Sequence, residues 1–493
     1  MSQLSIPTIT AFLVYVSVVL GIGFFAYIRT RSAGDYFLGG RQLSPMVSAI
    51  SAGASDMSGW VLLGLPGYAY LAGLEAAWIS IGLVIGVAAN WLLMAKRLRI
   101  YSAQLDDAVT LPTYLQRRFA DRTPWLKSIA SVSILLFFLF YVGSGLIAGG
   151  KLFNEVFGFD YQLAVFVSVG LILLYTLFGG FLAVSWTDVF QGILMLLALV
   201  LVPLLVIDQS GGMREFSGSI ERVNPHLLNI FTSADGKALT LMTIVSFMAW
   251  GLGYFGQPHI LARFMALRSP DDASRAALIG VTWALTCYAM AILVGLSGIA
   301  TLDTLLDDSE KVFIALTSLI FHPLIAGVLL AAILAAIMST VDSQLLVCSA
   351  SLAEDLYPLV TRKPLSAVQR LRVARIAVVA LALLATGLAM NPESKVLEVV
   401  SYAWAGLGAS LGPAVLLSLY WRNMTAAGAL TGVLVGGLTV IVWSRLEGGL
   451  YDLYALLPGF VFALVAIVVV SRVSRKGRDP RVLAEFDKMR SQR

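Results

Sequence analysis

The sequence predicts an all-α polytopic membrane protein of about thirteen transmembrane helices, and three observations predict it. Hydrophobic residues make up 58% of the 493-residue chain and charged residues only 13%, with a mean hydropathy of +0.85, whereas a water-soluble chain of this length needs far more charged surface. The apolar residues fall in blocks of about 20 or more, the length that crosses a hydrocarbon core about 30 Å thick. The Lys and Arg, on a chain of net charge +5, sit beside those blocks in small groups rather than along one polar face, so they read as topology and not as a nucleic-acid surface.

The first block, Ile6 to Tyr27, is long and lacks both a basic leader and a small-residue cleavage site, so a span is expected there rather than a signal peptide. The thirteen expected spans centre near Val16, Ser58, Leu83, Phe140, Leu171, Ala198, Met248, Met290, Leu334, Val379, Gly408, Gly432 and Phe462. An odd number puts the termini on opposite sides. With the N-terminus outside, the segments expected to be cytoplasmic hold 27 of the 34 Lys and Arg, so the positive-inside bias predicts a periplasmic N-terminus and a cytoplasmic C-terminus. The longest outer segment, 208–237, is too short for a core of its own, and the polar stretch 475–493 reads as a solvated cytoplasmic tail. Function is therefore expected among the helices, which disfavours a receptor or kinase. Cys287 and Cys348 lie inside apolar blocks without metal-type spacing and read as small core residues.

A spanning helix satisfies its backbone internally, so Gly, Ser and Pro clustered at membrane depth predict an opened helix beside a cavity. Two segments have this composition: Ser51-Ala-Gly-Ala-Ser-Asp-Met-Ser-Gly-Trp60 in the second span and Trp250-Gly-Leu-Gly-Tyr-Phe-Gly-Gln-Pro258 in the seventh. They are five spans apart, an odd interval, so the two copies would cross in opposite senses, as inverted repeats built from spans two to six and seven to eleven require. The same small residues also serve close helix packing.

Asp56 is the one charged residue between Arg41 and Glu75. A carboxylate there costs at least about 2.5 kcal/mol without a partner or water, which points to a cation pathway, the alternative being a carboxylate that caps neighbouring amides. Asp188 is expected at the cytoplasmic edge, capping the helix that follows, and Asp342 in a water-filled inner exit. In the ninth span, Ala335-Ala-Ile-Met-Ser-Thr340 sets two adjacent hydroxyls after small residues, and Thr340 lies over Ala336 at i,i+4. The Ser339 and Thr340 hydroxyls with the Ala336 carbonyl are hard oxygens of the kind a small cation takes. Ser and Thr at such positions also bond back to their own helix. Trp250, Tyr254 and Pro258 recur at i,i+4,i+8, one side of the seventh span where it is helical, either as packing or as the apolar wall of a small-solute pocket. His226, His259 and His322 follow no metal spacing and read as loop or helix-end residues. With no P-loop, nucleophile elbow or zinc pattern, no catalytic residue and no enzyme activity are expected.

Gly39-Gly40-Arg41, SAGASDMSGW (51–60), GGFLAVSWTD (179–188), WGLGYFGQPHILARFMA (250–266), Met338-Ser-Thr340 and SYAWAGLGASLG (401–412) together resemble the sodium/solute symporter family, over nearly the whole chain from about Asp35. The resemblance implies a LeuT-type 5+5 inverted repeat with one extra N-terminal helix and two C-terminal ones. Its units are 1–42 (extra helix and loop), 43–210 (first repeat), 211–421 (periplasmic loop and second repeat), 422–474 (two C-terminal helices) and 475–493 (tail). It implies a sodium site of backbone oxygens from Ala54, Met57 and Ala336 with the hydroxyls of Ser339 and Thr340, and Asp56 as a carboxylate required for sodium coupling. Ser58, Gly59, Tyr141, Trp250, Tyr254 and Pro258 would lie at or near the solute. The activity implied is import of L-proline with Na+ as the coupling ion across the bacterial inner membrane by alternating access, with no cofactor and no nucleic-acid partner. The alternatives are a sodium symporter for another small solute and a proton-coupled transporter that uses Asp56. Asp342 is a departure from the family's proline-transporting branch and bears on the inner exit path.

Overall fold

The computed structural model describes residues 5–29, 38–177, 180–361, 366–474 and 480–491. Among the described residues the backbone is helical nearly throughout, and strand pairing is confined to two isolated bridges, Leu43 with Leu267 and Thr232 with Ala238. The helices in order are α1 (Ile6–Arg29), α2 (Pro45–Asp56), α3 (Leu65–Ala72), α4 (Ala77–Asn90), α5 (Lys96–Gln104), α6 (Leu111–Arg118), α7 (Trp125–Phe157), α8 (Tyr161–Thr176), α9 (Phe181–Gln209), α10 (Met213–Val223) and α11 (Leu241–Met248). They continue with α12 (Pro258–Met265), α13 (Ala273–Thr301), α14 (Val312–Ile320), α15 (Pro323–Ala350), α16 (Tyr357–Thr361), α17 (Ala367–Leu388), α18 (Val396–Tyr420), α19 (Ala426–Trp443), α20 (Leu456–Val473) and α21 (Pro480–Ser491).

Among the described residues ten helical runs are long and apolar enough to cross a membrane, Trp60–Gln104 being one continuous run of 45 residues, and two shorter apolar helices occupy Tyr161–Leu174 and Leu241–Gly256. Twelve of the thirteen expected centres lie on these helices. The exception is Ser58, which lies in the gap between α2 and a π-helical turn at Trp60–Gly64. In α2 the sequence sets its own start: Ser44 accepts from the Val47 amide at 3.3 Å and Pro45 takes the first helical position, where no amide is needed.

The core lies where α2, α7, α9, α12, α13, α15 and α18 meet, and α15 is buried from Leu329 to Leu346. Helix α1 packs on α15 and α9 from outside this group, and α19 and α20 pack on each other and on α18. Two expectations are corrected here. The tail is not simply solvated: α21 buries Val482, Phe486 and Met489, whose spacing of four and three makes one apolar face. Phe486 packs 6.3 Å from the Tyr101 ring and 4.9 Å from the Arg118 guanidinium, and Asp487 accepts from Arg422 at 2.8 and 2.7 Å, which holds that carboxyl below its ordinary range. Arg263, which with Arg268 and Arg275 is one of the 27 Lys and Arg expected in cytoplasmic segments, is fully buried in α12. Arg31, Arg362, Lys363, Arg475, Lys476, Arg478, Arg493 and the Gly179 of the 179–188 string lie outside the described residues.

Candidate functional site

Both glycine-rich segments are open. Helix α2 stops at Asp56, and Met57 leaves the helical region with φ −83°, ψ 72° while its amide still reaches Gly53 O. The Asp56 carbonyl freed by this break accepts from the Ser58 amide at 3.0 Å, the Trp60 indole at 3.0 Å and the Tyr141 hydroxyl at 3.1 Å. The second break is longer. After α11 the chain tightens into a 3₁₀ helix, Ala249–Gly256, and Gln257 turns to extended backbone before Pro258 starts α12. Its freed carbonyls are also met by side chains: the Trp404 indole donates to Trp250 O at 2.8 Å, and Gln257 Nε2 reaches Gly253 O at 3.2 Å and Trp404 O at 3.3 Å. This 3₁₀ segment lies directly on α4, where a Cβ on Gly86 would sit 2.5 Å from Gly251 Cα, so glycine is required for the approach.

The end of α2 meets α15 through oxygen atoms. The Ser339 hydroxyl donates to Ala54 O at 2.9 Å and to Ala336 O at 3.0 Å, and the Thr340 hydroxyl donates to Ala54 O at 3.3 Å. Four of the five residues expected at the ion site are thus hydrogen-bonded into one fully buried group, and Met57 follows directly on the broken end. The donor set is hydroxyls and carbonyls, and among the described residues no group of three or more His, Cys, Asp or Glu is arranged to hold a metal.

Asp56 does not cap amides with its side chain. Its Oδ2 accepts from the Tyr254 hydroxyl at 2.5 Å and the Tyr288 hydroxyl at 3.1 Å, those hydroxyls being 2.5 Å apart, while Oδ1 is buried without a hydrogen-bond partner. A cavity of about 20 Å³ borders Asp56, Met57, Asn90 and Tyr254, room for one water-sized occupant. Aromatic rings surround this point: Trp60 packs 6.0 Å from Trp250 and 5.8 Å from Tyr288, and Trp404 packs 5.0 Å from Tyr254 and 6.4 Å from Tyr141. Trp250 stacks on Tyr454 at 5.1 Å, and both line an open cavity of about 450 Å³ with Tyr68, Phe247, Ser246 and Glu398.

The structure therefore brings Ser58, Tyr141, Trp250 and Tyr254 around Asp56. Gly59 is beside them but faces α7, where a Cβ would lie 2.6 Å from the Ala148 Cβ. Pro258 is not among them: it lines a separate small cavity with Ile134, Phe181, Met265 and Leu346. The i,i+4,i+8 stripe fails because the segment is 3₁₀, whose shorter repeat turns position 258 away. Asp188 is corrected too. It is not a cap but lies fully buried in α9, accepting from Arg263 Nη2 at 3.0 Å and from Ser51 Oγ at 2.6 Å, with Arg263 also donating to Ser343 Oγ at 2.6 Å and Ser51 Oγ at 3.0 Å. Asp342 is fully buried rather than in an open exit, near Tyr15, whose hydroxyl accepts from Gln191 Nε2 at 2.9 Å. His259 is at a helix start, as expected, and buried between Phe138 and Tyr141, while His226 and His322 lie at short-helix and helix starts. Tyr288, Trp404 and Tyr454 also pack around this point without having been expected, since single aromatics in an apolar run or in a loop carry no signal.

Comparison with known proteins agrees with this geometry. The profile of the sodium:solute symporter family matches residues 36–436. The chain is 49% identical over 457 residues to the high-affinity proline transporter PutP of Bacillus subtilis (strain 168), covering 92% of this chain and 95% of that one. It is 47% identical over 479 residues to the sodium/proline symporter of Escherichia coli (strain K12), covering 96% and 94%. Among solved structures, a substrate-bound outward-open Na+-coupled sialic acid symporter is similar with a TM-score of 0.78 at 19% identity, covering 96% of this chain and 98% of that one. The closed conformation of Mhp1, a nucleobase-cation-symport-1 family transporter, is similar with a TM-score of 0.55 at 13% identity, covering 92% and 98%. Those two likenesses carry the fold, that of LeuT-type transporters. Given the profile match, these relatives and the two broken helices that meet α15, this chain, a multi-pass membrane protein, belongs to the sodium:solute symporter family, a family of transporters and not of enzymes.

Proposed function

We propose that the protein is a sodium-coupled symporter that imports L-proline across the bacterial inner membrane by alternating access. The observation that carries this reading is the meeting of the Ser339 and Thr340 hydroxyls with the Ala54 and Ala336 carbonyls at the broken end of α2, two residues from Asp56. Sodium takes these oxygens with that of Met57, and so holds α2 and α15 in register. The fixed end of α2 then orients Asp56, Tyr254, Ser58 and Tyr141, and the solute enters from the 450 Å³ cavity lined by Trp250 to dock beside Tyr254 and Asp56. Sodium and proline each strengthen binding of the other by the same factor. Opening inward, where sodium is scarce, releases both. The close relatives named as proline transporters support the choice of solute.

The units 43–210 and 211–421 act as the two inverted halves, with α19 and α20 outside them, and the N-terminus is periplasmic. The experiment that tests the function is counterflow of labelled proline in proteoliposomes with and without sodium. Sodium-dependent exchange is expected. Exchange driven equally well by protons alone would make Asp56 a proton carrier, and exchange of another solute in place of proline would move the protein to a sibling activity.

A further inference from the structure

We propose that the lipid-facing groove between α8 and the N-terminal half of α17 binds one anionic phospholipid, with an acyl chain along α17 and the headgroup on Arg372 and Arg375. Helices α8 and α17 run side by side and are tied at one end, where the Tyr161 hydroxyl donates to Ala389 O at 3.0 Å. Toward the other end they leave an apolar groove of about 530 Å³, lined among the described residues by Leu177 of the α8 end and by Arg375, Ile376, Val379, Ala380 and Leu383. The positions 376, 379, 380 and 383 form one face of α17 at helical spacing, and Ile376 and Leu383 are 63% and 56% exposed. From 375 to 383 the groove runs about 12 Å along the helix, so it takes a length of hydrocarbon chain rather than a single side chain.

Charge decides the occupant. Arg370 pairs with Glu354 at 3.3 Å, but neither Arg372 nor Arg375 has an acidic partner among the described residues. Both are exposed, and they lie three residues apart on adjacent turns of α17. An apolar groove with Arg375 at one end and Arg372 one turn before it, neither with an acidic partner among the described residues, matches an amphiphile with a negatively charged head, and guanidinium is the side chain that binds phosphate through two parallel hydrogen bonds. The opposite face of α17 packs on α15, so the lipid would lie one helix away from Ser339 and Thr340.

The test is native mass spectrometry of the full chain purified from nanodiscs of phosphatidylglycerol and phosphatidylethanolamine. The parent is expected to retain one phosphatidylglycerol in preference to phosphatidylethanolamine. Arg372→Gln with Arg375→Gln removes two cations, each worth about fivefold beside an anionic headgroup, so retention should weaken roughly 25-fold. Ala380→Trp keeps both cations and fills the groove, and should reduce retention as well. Equal retention of the two lipids by the parent, or an unchanged double variant, overturns the proposal. Loss in the double variant with full retention in Ala380→Trp also overturns it, because the lipid would then sit on the arginines and not in the groove. Far-ultraviolet circular dichroism of each variant separates lost binding from lost fold.

Discussion

Replacing Ser339 by Ala removes one oxygen from the candidate ion site while changing side-chain volume and helix propensity little. The Ser339 hydroxyl is hydrogen-bonded to Ala54 O at 2.9 Å and Ala336 O at 3.0 Å, and both carbonyls sit at the junction of α2 and α15. The variant loses about 0.5–1.5 kcal/mol of fold stability for the neutral hydrogen bond between the helices, which is not enough to prevent insertion. The loss to bound sodium is larger, because a hydroxyl facing a charge contributes about 1.5–3 kcal/mol, or roughly 10- to 150-fold in half-saturating sodium. Thr340→Ala should act in the same direction and more weakly, since its hydroxyl is 3.3 Å from Ala54 O. The assay is initial-rate uptake of labelled proline in proteoliposomes across a sodium titration. Half-saturating sodium should rise by the stated factor, and apparent proline affinity should fall at low sodium and recover at saturating sodium. A proline defect that persists at every sodium concentration, or sodium dependence identical to the parent in both variants, refutes the assignment of these hydroxyls to the ion.

Trp250→Ala and Tyr254→Ala should weaken proline binding strongly while leaving sodium dependence measurable, since the first truncates the wall of the 450 Å³ cavity and the second removes the ring beside Asp56; unchanged proline affinity in equilibrium binding would return these rings to packing alone. Asp56→Asn should abolish or greatly weaken sodium-stimulated uptake and Asp56→Glu should retain part of it, because a cation is drawn by the charge; normal uptake by the Asn variant would make the carboxylate structural. Tyr288→Phe removes one of two phenol donors to Asp56 and should lower unfolding stability by about 1.5–3 kcal/mol, read by thermal unfolding of the purified protein. Arg263→Gln leaves Asp188 buried and unpaired and should cost about 3–5 kcal/mol by the same measurement, and adding Asp188→Asn should recover much of that loss.

The meeting of the α2 end with α15 at the candidate ion site was legible because its residues break a rule of their setting: Asp56 is charged and Ser339 and Thr340 are hydroxylic where a span should be apolar. The two breaks were legible for the same reason, through Gly, Ser and Pro at depth. The path of the chain through the second break was not. Trp250, Tyr254 and Pro258 align only on an α-helix, and nothing local says that residues 249–256 tighten to 3₁₀, a state held by Trp404 and Gln257 from outside the segment's own repeat and by the close approach of Gly86. Asp188 was misread because its partner, Arg263, is 75 residues away and was counted as a loop cation. Burial of that pair requires helices α2, α9, α12 and α15 to converge, which only the tertiary fold shows. Tyr288 lies in an apolar stretch of α13 like any core aromatic, and Tyr454 lies in the loop between α19 and α20, outside the expected repeats. The apolar face of α21 was readable from Val482, Phe486 and Met489, but the charges between them dominate the composition.

The central claim is that sodium at the α2–α15 junction and proline beside Asp56 and Tyr254 occupy two sites coupled through the broken end of α2. Equilibrium binding to the purified protein measures this directly: the proline dissociation constant with and without sodium, and the sodium dissociation constant with and without proline. The account predicts that each ligand tightens the other by the same factor, and that Ser339→Ala weakens the sodium constant while leaving the proline constant measured at saturating sodium close to the parent's. A proline dissociation constant that does not change between zero and saturating sodium would contradict it.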